Sequence, residues 1–109
     1  MSRLLLQAQE KFQAAEVLLE QGMSSVPAEL LLAALLHAAA ARGGLELAPK
    51  AVEAAVWVYT DAVPQGWLSQ EEAALVMRAV ALAQAPELPA SLLETLLEEV
   101  RGFLNSAGA

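Results

Sequence analysis

The chain has 109 residues, of which Ala (24) and Leu (21) make up 45, while Ile is absent and Val numbers nine. That composition favours helix and nearly excludes a sheet-based fold, and the length allows one domain built on one core. Thirteen acidic against six basic side chains give a net charge of -7, which repels phosphate backbones and argues against nucleic-acid binding.

The first predicted helix runs from Ser2 to Gln21. Leu5, Ala8, Phe12, Ala15, Val17, Leu18 and Leu19 recur near helical spacing, Gln9, Glu10, Gln13, Glu16 and Glu20 face away, and Gly22 supplies the stop. Its apolar triplet Leu4-Leu5-Leu6 is too short for a signal-peptide core, so the expected residence is cytoplasmic. Ser24-Ser25-Val26-Pro27 then offers hydroxyl caps and a first-turn proline for a second helix from Pro27 to Ala41. Only Glu29 and His37 are polar within it, which predicts the hub of the fold, surrounded by other helices or lying in a subunit interface. The most apolar stretch, Leu30 to Ala41, falls well below the ~20 residues that span a bilayer, so no membrane association is expected.

After Arg42-Gly43-Gly44 the chain restarts at Pro49, and Val52, Ala55, Val56, Tyr59 and Val63 form the predicted inward stripe of a third helix that Pro64-Gln65-Gly66 ends. Ser69 with Glu72 matches a capping box and opens a fourth helix, Gln70 to Ala85, expected to bury Ala73, Val76, Met77 and Val80. Pro86 and Pro89 break it. Ser91 with Glu94 repeats the capping-box spacing before a fifth helix with the apolar face Leu93, Leu96, Leu97, Val100, Phe103 and Leu104, and 105–109 are expected to fray. No repeat and no linker divides the chain. With connections this short, the expected architecture is all-α: a single domain over 1–109, an up-and-down bundle of about five helices with a short fifth helix packed on it. Two Lys, one Asn and heavy use of Ala, Leu and Glu also fit a heat-adapted (thermophile) source.

There is no cysteine, so disulfides, thiolate metal sites and a cysteine nucleophile are excluded. His37 is the single imidazole, and the residues one turn away on either side are Ala33, Ala34, Ala40 and Ala41. It lacks partner ligands on its own helix, which leaves a neutral core histidine or a member of an interface or pocket. Glu71-Glu72 and Glu98-Glu99 diverge by about 100° on their helices and do not converge on a substrate; the expectation is a solvated face. Glu16 and Glu20 share an exposed face, but no Glu-x-x-His pair exists for a di-metal site. Gly43-Gly44 lacks the further glycine and lysine of a phosphate-cradling loop and is read as a helix stop. Trp57, Tyr59 and Trp67 cluster around the end of the third helix, as core filler or as an interface or pocket, with Trp57 off the apolar stripe and partly exposed. Arg78 and Arg101 stand singly on acidic faces and are expected in surface ion pairs.

The order of these features resembles the HEPN-like fold, the small helical domain of prokaryotic nucleotide-binding and ribonuclease-toxin proteins. The resemblance covers nearly the whole chain. It rests on the opening 11–22 (KFQAAEVLLEQG), on Leu36-His37-Ala38-Ala39-Ala40 followed by a glycine turn, on 63–71 (VPQGWLSQE) leading into the fourth helix, and on Val100-Arg101-Gly102-Phe103-Leu104 at the close. Members that cut RNA carry an Arg followed by a His near the end of the fourth helix, and here 81–88 reads ALAQAPEL. The family's frequent Arg falls on or beside Ala83, the tyrosine often found after it corresponds to Leu88, and the central aromatic pair is replaced by residues such as Leu32 and Ala33. The resemblance therefore implies the scaffold without the nuclease: no enzyme, no cofactor, no metal, a homodimer, and a nucleotidyltransferase-type partner. The expected function is a non-catalytic protein-protein interaction or regulatory module. The alternative is a small-ligand protein that binds a nucleotide in a pocket near Trp57, Tyr59 and Trp67.

Overall fold

The computed structural model describes residues 2–107, and among them every regular element is a helix. α1 spans Arg3–Glu20, with the Ser2 hydroxyl accepting the Leu5 amide at 3.1 Å as its N-terminal cap. It stops at Gly22, whose φ of 86° is open to glycine at little cost. There the Met23 amide reaches back to the Leu18 carbonyl at 3.1 Å and Gly22 to Leu19 at 3.0 Å, a closure that satisfies the last free carbonyls. The chain folds back at once into α2, Ser25–Arg42, two residues earlier than the proline predicts. Ser24 stands at the cap position, but its hydroxyl makes no capping hydrogen bond.

α2 is the hub. Pro27, Ala28, Leu31, Leu32, Ala34, Leu35, Leu36, Ala38, Ala39 and Ala40 are all buried, and α1, α4 and α5 pack around it. α1 packs against it and contributes the fully buried Ala8 and Ala15, small side chains that let helix backbones approach closely. Leu31, Leu35 and Leu36 are almost completely removed from water, each contributing about 1.5–3 kcal/mol of transfer free energy. A single chain covers much of α2, ten of its 18 residues being buried, while Val26 stays exposed and Leu30, Ala33 and Ala41 half-buried.

α3 covers 51–62 and tightens and loosens along its length: a 3-10 turn at Ala51–Glu53, one α turn at Ala54–Trp57 and a π turn at Val58–Ala62. Its orientation corrects the predicted stripe. Ala54, Val58 and Ala62 are buried, whereas Val52, Ala55, Val56 and Tyr59 face solvent and Val63 is half-buried. Positions 54–58 are apolar without interruption, so two faces compete for the core. The face with two alanines lets α3 close on the bundle, and it prevails over the bulkier one.

α4, Gln70–Gln84, begins with the predicted capping box: the Glu72 amide donates to the Ser69 hydroxyl at 3.1 Å and the Ser69 amide to the Glu72 carboxylate at 2.9 Å. Its buried residues are Ala73, Leu75, Val76 and Ala79, with Met77 and Val80 only half-buried. α5 spans Ala90–Ala107 and equals α1 and α2 in length, so it is a full member of the bundle and remains helical through Asn105 and Ser106. Ser91 lies inside it rather than capping it, and the Leu92 and Leu93 amides donate to the Pro89 carbonyl instead. The last two residues of the expected fray, 108–109, lie outside the described residues. Leu93, Leu96, Val100, Phe103 and Leu104 form the buried face as predicted, with Leu97 half-buried.

Candidate functional site

Of the four residues singled out in the sequence, the fold brings together Trp57 and Trp67. α3 ends at a glycine turn in which Gly66 has a φ of 81° and the Trp67 amide donates to the Ala62 carbonyl at 2.9 Å. This aims the Trp67 ring at the end of α2, where a Cβ on Gly43 would lie 2.6 Å from ring carbons. Gly43 is thus required for the approach of the indole, not only for ending the helix. The Trp57 ring lies 6.0 Å from that of Trp67 with the planes tilted by 38°, and both are half-buried against the core.

Arg42 joins four elements around this pair. Its guanidinium donates to the Trp67 carbonyl at 3.2 Å and to the Glu72 carboxylate at 2.8 Å, reaches the Ser106 hydroxyl at 3.5 Å, and stacks 4.4 Å from the centre of the Phe103 ring. Burial works to raise the Glu72 carboxyl, but the Ser69 amide and the Arg42 guanidinium outweigh it and hold it below its ordinary value. Glu72 is therefore part of a junction rather than of a solvated face. The sequence clue to Arg42 is its place in the last turn of α2, where a cation complements the helix dipole.

His37 and Tyr59 belong elsewhere. His37 is half-buried beside α1, and its Nδ1 donates to the Ala33 carbonyl at 2.7 Å. A carbonyl only accepts, so Nδ1 carries the proton in this arrangement. Burial pushes the imidazole pKa down, the Ala33 carbonyl opposes this, and the positive charge of Lys11 lowers it further, which describes a neutral packing residue. Among the described residues no group of three His, Asp or Glu side chains is placed to hold a metal. Tyr59 is 52% exposed and continues the outward side of α3.

Along that outward side and the segment before it stand the three most exposed large apolar side chains of the described residues. Val52 is 91% exposed and Val56 68%, and Leu47 in the preceding segment is 82% exposed. A cleft of about 540 Å³ opens between 47–49 and α3, with Leu47, Pro49, Val52, Val56 and Trp57 as apolar walls and Glu53, Thr60 and Asp61 as polar ones. Its charged walls are both acidic. The Thr60 hydroxyl donates to the Val56 carbonyl at 2.7 Å, where an α-helix would place a backbone amide, and the ladder widens to i+5 with the Val63 amide on the Val58 carbonyl at 2.9 Å.

Two other clefts are less distinctive. One of about 500 Å³ between α4 and α5 is crossed by the Arg78–Glu99 ion pair, as expected of Arg78. Arg101 meets both Glu98 and Glu16 and lies 5.5 Å from the centre of the Phe12 ring. The other, about 310 Å³, includes Val80, Ala83 and Gln84 from the end of α4 together with Leu32 and Val52. Glu29 is its one charged wall.

No family model, no curated protein and no solved structure matches this chain.

Proposed function

We propose that the chain is a non-catalytic, HEPN-like helical module that works by binding another protein, with the surface from Leu47 to Tyr59 as its contact face. The observation that carries this reading is the run of large apolar side chains left in water along one side of α3. Burying such a patch is favourable at about 25 cal/mol per Å², and patches of this kind mark interaction sites. The lack of an Arg or His at 81–88 supports the non-catalytic part. The resemblance offers two partners, a second copy and a nucleotidyltransferase-type protein.

The test compares complexes held by the wild-type chain and by Val56→Glu in native mass spectrometry and light scattering. A stoichiometric complex, with itself or another protein, that the substitution dissolves is the expected result. A wild-type chain that stays monomeric and holds the same proteins as the variant overturns the reading. A nucleotide in the cleft would set its phosphates beside Glu53 and Asp61, which disfavours that alternative; nucleotides are expected to leave the melting temperature unchanged.

A further inference from the structure

We propose that the cleft between 47–49 and α3 is a docking groove for a basic amphipathic helix of a partner protein, an inference that rests on the interaction role above. Val52 and Val56 line the cleft one turn apart, and the exposed Tyr59, outside the cleft, continues their stripe at i+7, the spacing at which an apolar helix face is met by another helix. Glu53 follows Val52 by one position and Asp61 follows Tyr59 by two, and both line the cleft beside Val52 and Val56. They are eight residues apart along α3, and both are exposed. A partner helix whose apolar stripe is flanked by two Lys or Arg side chains seven or eight residues apart places one cation at each carboxylate.

The sign of the charge selects this occupant over a second copy. Two copies meeting through this face would bring Glu53 and Asp61 toward their own counterparts, in a chain of net charge -7. Among the described residues neither carboxylate is in an ion pair, and three of the six basic side chains, Arg42, Arg78 and Arg101, are already engaged with Glu72, Glu99, Glu98 and Glu16. One oxygen of Glu53 accepts the Lys50 amide at 3.2 Å, which holds the side chain at the rim and leaves its other oxygen to a partner. The Thr60 hydroxyl is turned to its own backbone, so the two carboxylates are the groove's charged contacts.

The experiment titrates the full chain into two fluorescently labelled helical peptides of about five turns that share one Leu-rich face, one flanked by Lys eight residues apart and one by Glu. Binding is read by anisotropy at low and high salt. The expected result is a preference for the basic peptide of at least about tenfold, weakened by salt, with a similar loss in the double variant Glu53→Gln, Asp61→Asn. All the altered positions are exposed, and circular dichroism checks that the variants remain folded. Equal binding of both peptides overturns the basic partner while leaving an interaction surface. Binding of neither, with a wild-type dimer that Val56→Glu dissolves, overturns it in favour of a second copy. Binding of neither by a monomeric chain overturns both readings.

Discussion

The two sides of α3 are built on opposite terms. Inward and beyond its end, around Arg42, polar groups are matched: one guanidinium serves a carbonyl, a carboxylate and an aromatic face, and among the described residues no buried side-chain nitrogen or oxygen lacks a partner. Outward, Val52 and Val56 stand in water beside two carboxylates that no cation among the described residues pairs. Stability is concentrated on the first side, and the outer side contributes little to it. Changes at the two sides should therefore separate cleanly into effects on folding and effects on binding.

The largest effect is expected at Gly43. A Val there meets the Trp67 ring, which must move and take Trp57 with it, costing about 2–3 kcal/mol by the usual cost of overpacking; denaturant unfolding measures it, and tryptophan emission should shift red. Arg42→Ala is next, at about 1–2 kcal/mol, because the Trp67 carbonyl and the Glu72 carboxylate both lose a charge-assisted donor. Arg42→Lys should recover only part of this, since a point charge does not serve both acceptors and the Phe103 face together.

A smaller effect is a pH dependence from His37. Its folded-state pKa lies below the ordinary 6.5, so the unfolded chain takes up the proton first. Its share of stability is fully present above that value and declines as the pH falls from there toward the lower folded-state pKa. Melts of wild type and His37→Gln across pH 5 to 8 should diverge on the acid side. Glu72, also lowered, loses its share at more acidic pH still, below the ordinary carboxylate value. Val56→Glu closes the series at within about 0.5 kcal/mol in stability, as for other exposed sites, while removing the contact face. A large loss of stability there would mean that the outer side of α3 is not the free surface described.

Much of the bundle was legible. The even apolar character of 30–41 marked the hub, Ser69 with Glu72 marked the start of α4, and the 93–104 periodicity gave the inward face of α5. α3 was not, because Ala54, Ala55, Val56, Trp57 and Val58 carry no polar residue to break the tie between faces. Side-chain bulk favoured one answer and close approach of backbones chose the other. For the same reason Tyr59 and His37 were grouped with the tryptophans by chemistry, while helix phase sends Tyr59 outward and His37 packs beside α1. Arg42 escaped notice because its role depends on residues 25 to 64 positions away.

The π turn of α3 bears on how this chain can change over time. A π turn holds one residue more than an α turn, and here it begins and ends on the buried Val58 and Ala62, after the outward Val52 and Val56. Substitutions at the outward positions before it are free to drift with a partner, because the inward anchors Val58 and Ala62 lie in the π turn itself, which the Trp67 amide closes on the Ala62 carbonyl. A family descended from this chain would be expected to vary at 52 and 56 while keeping small or β-branched residues at 58 and 62.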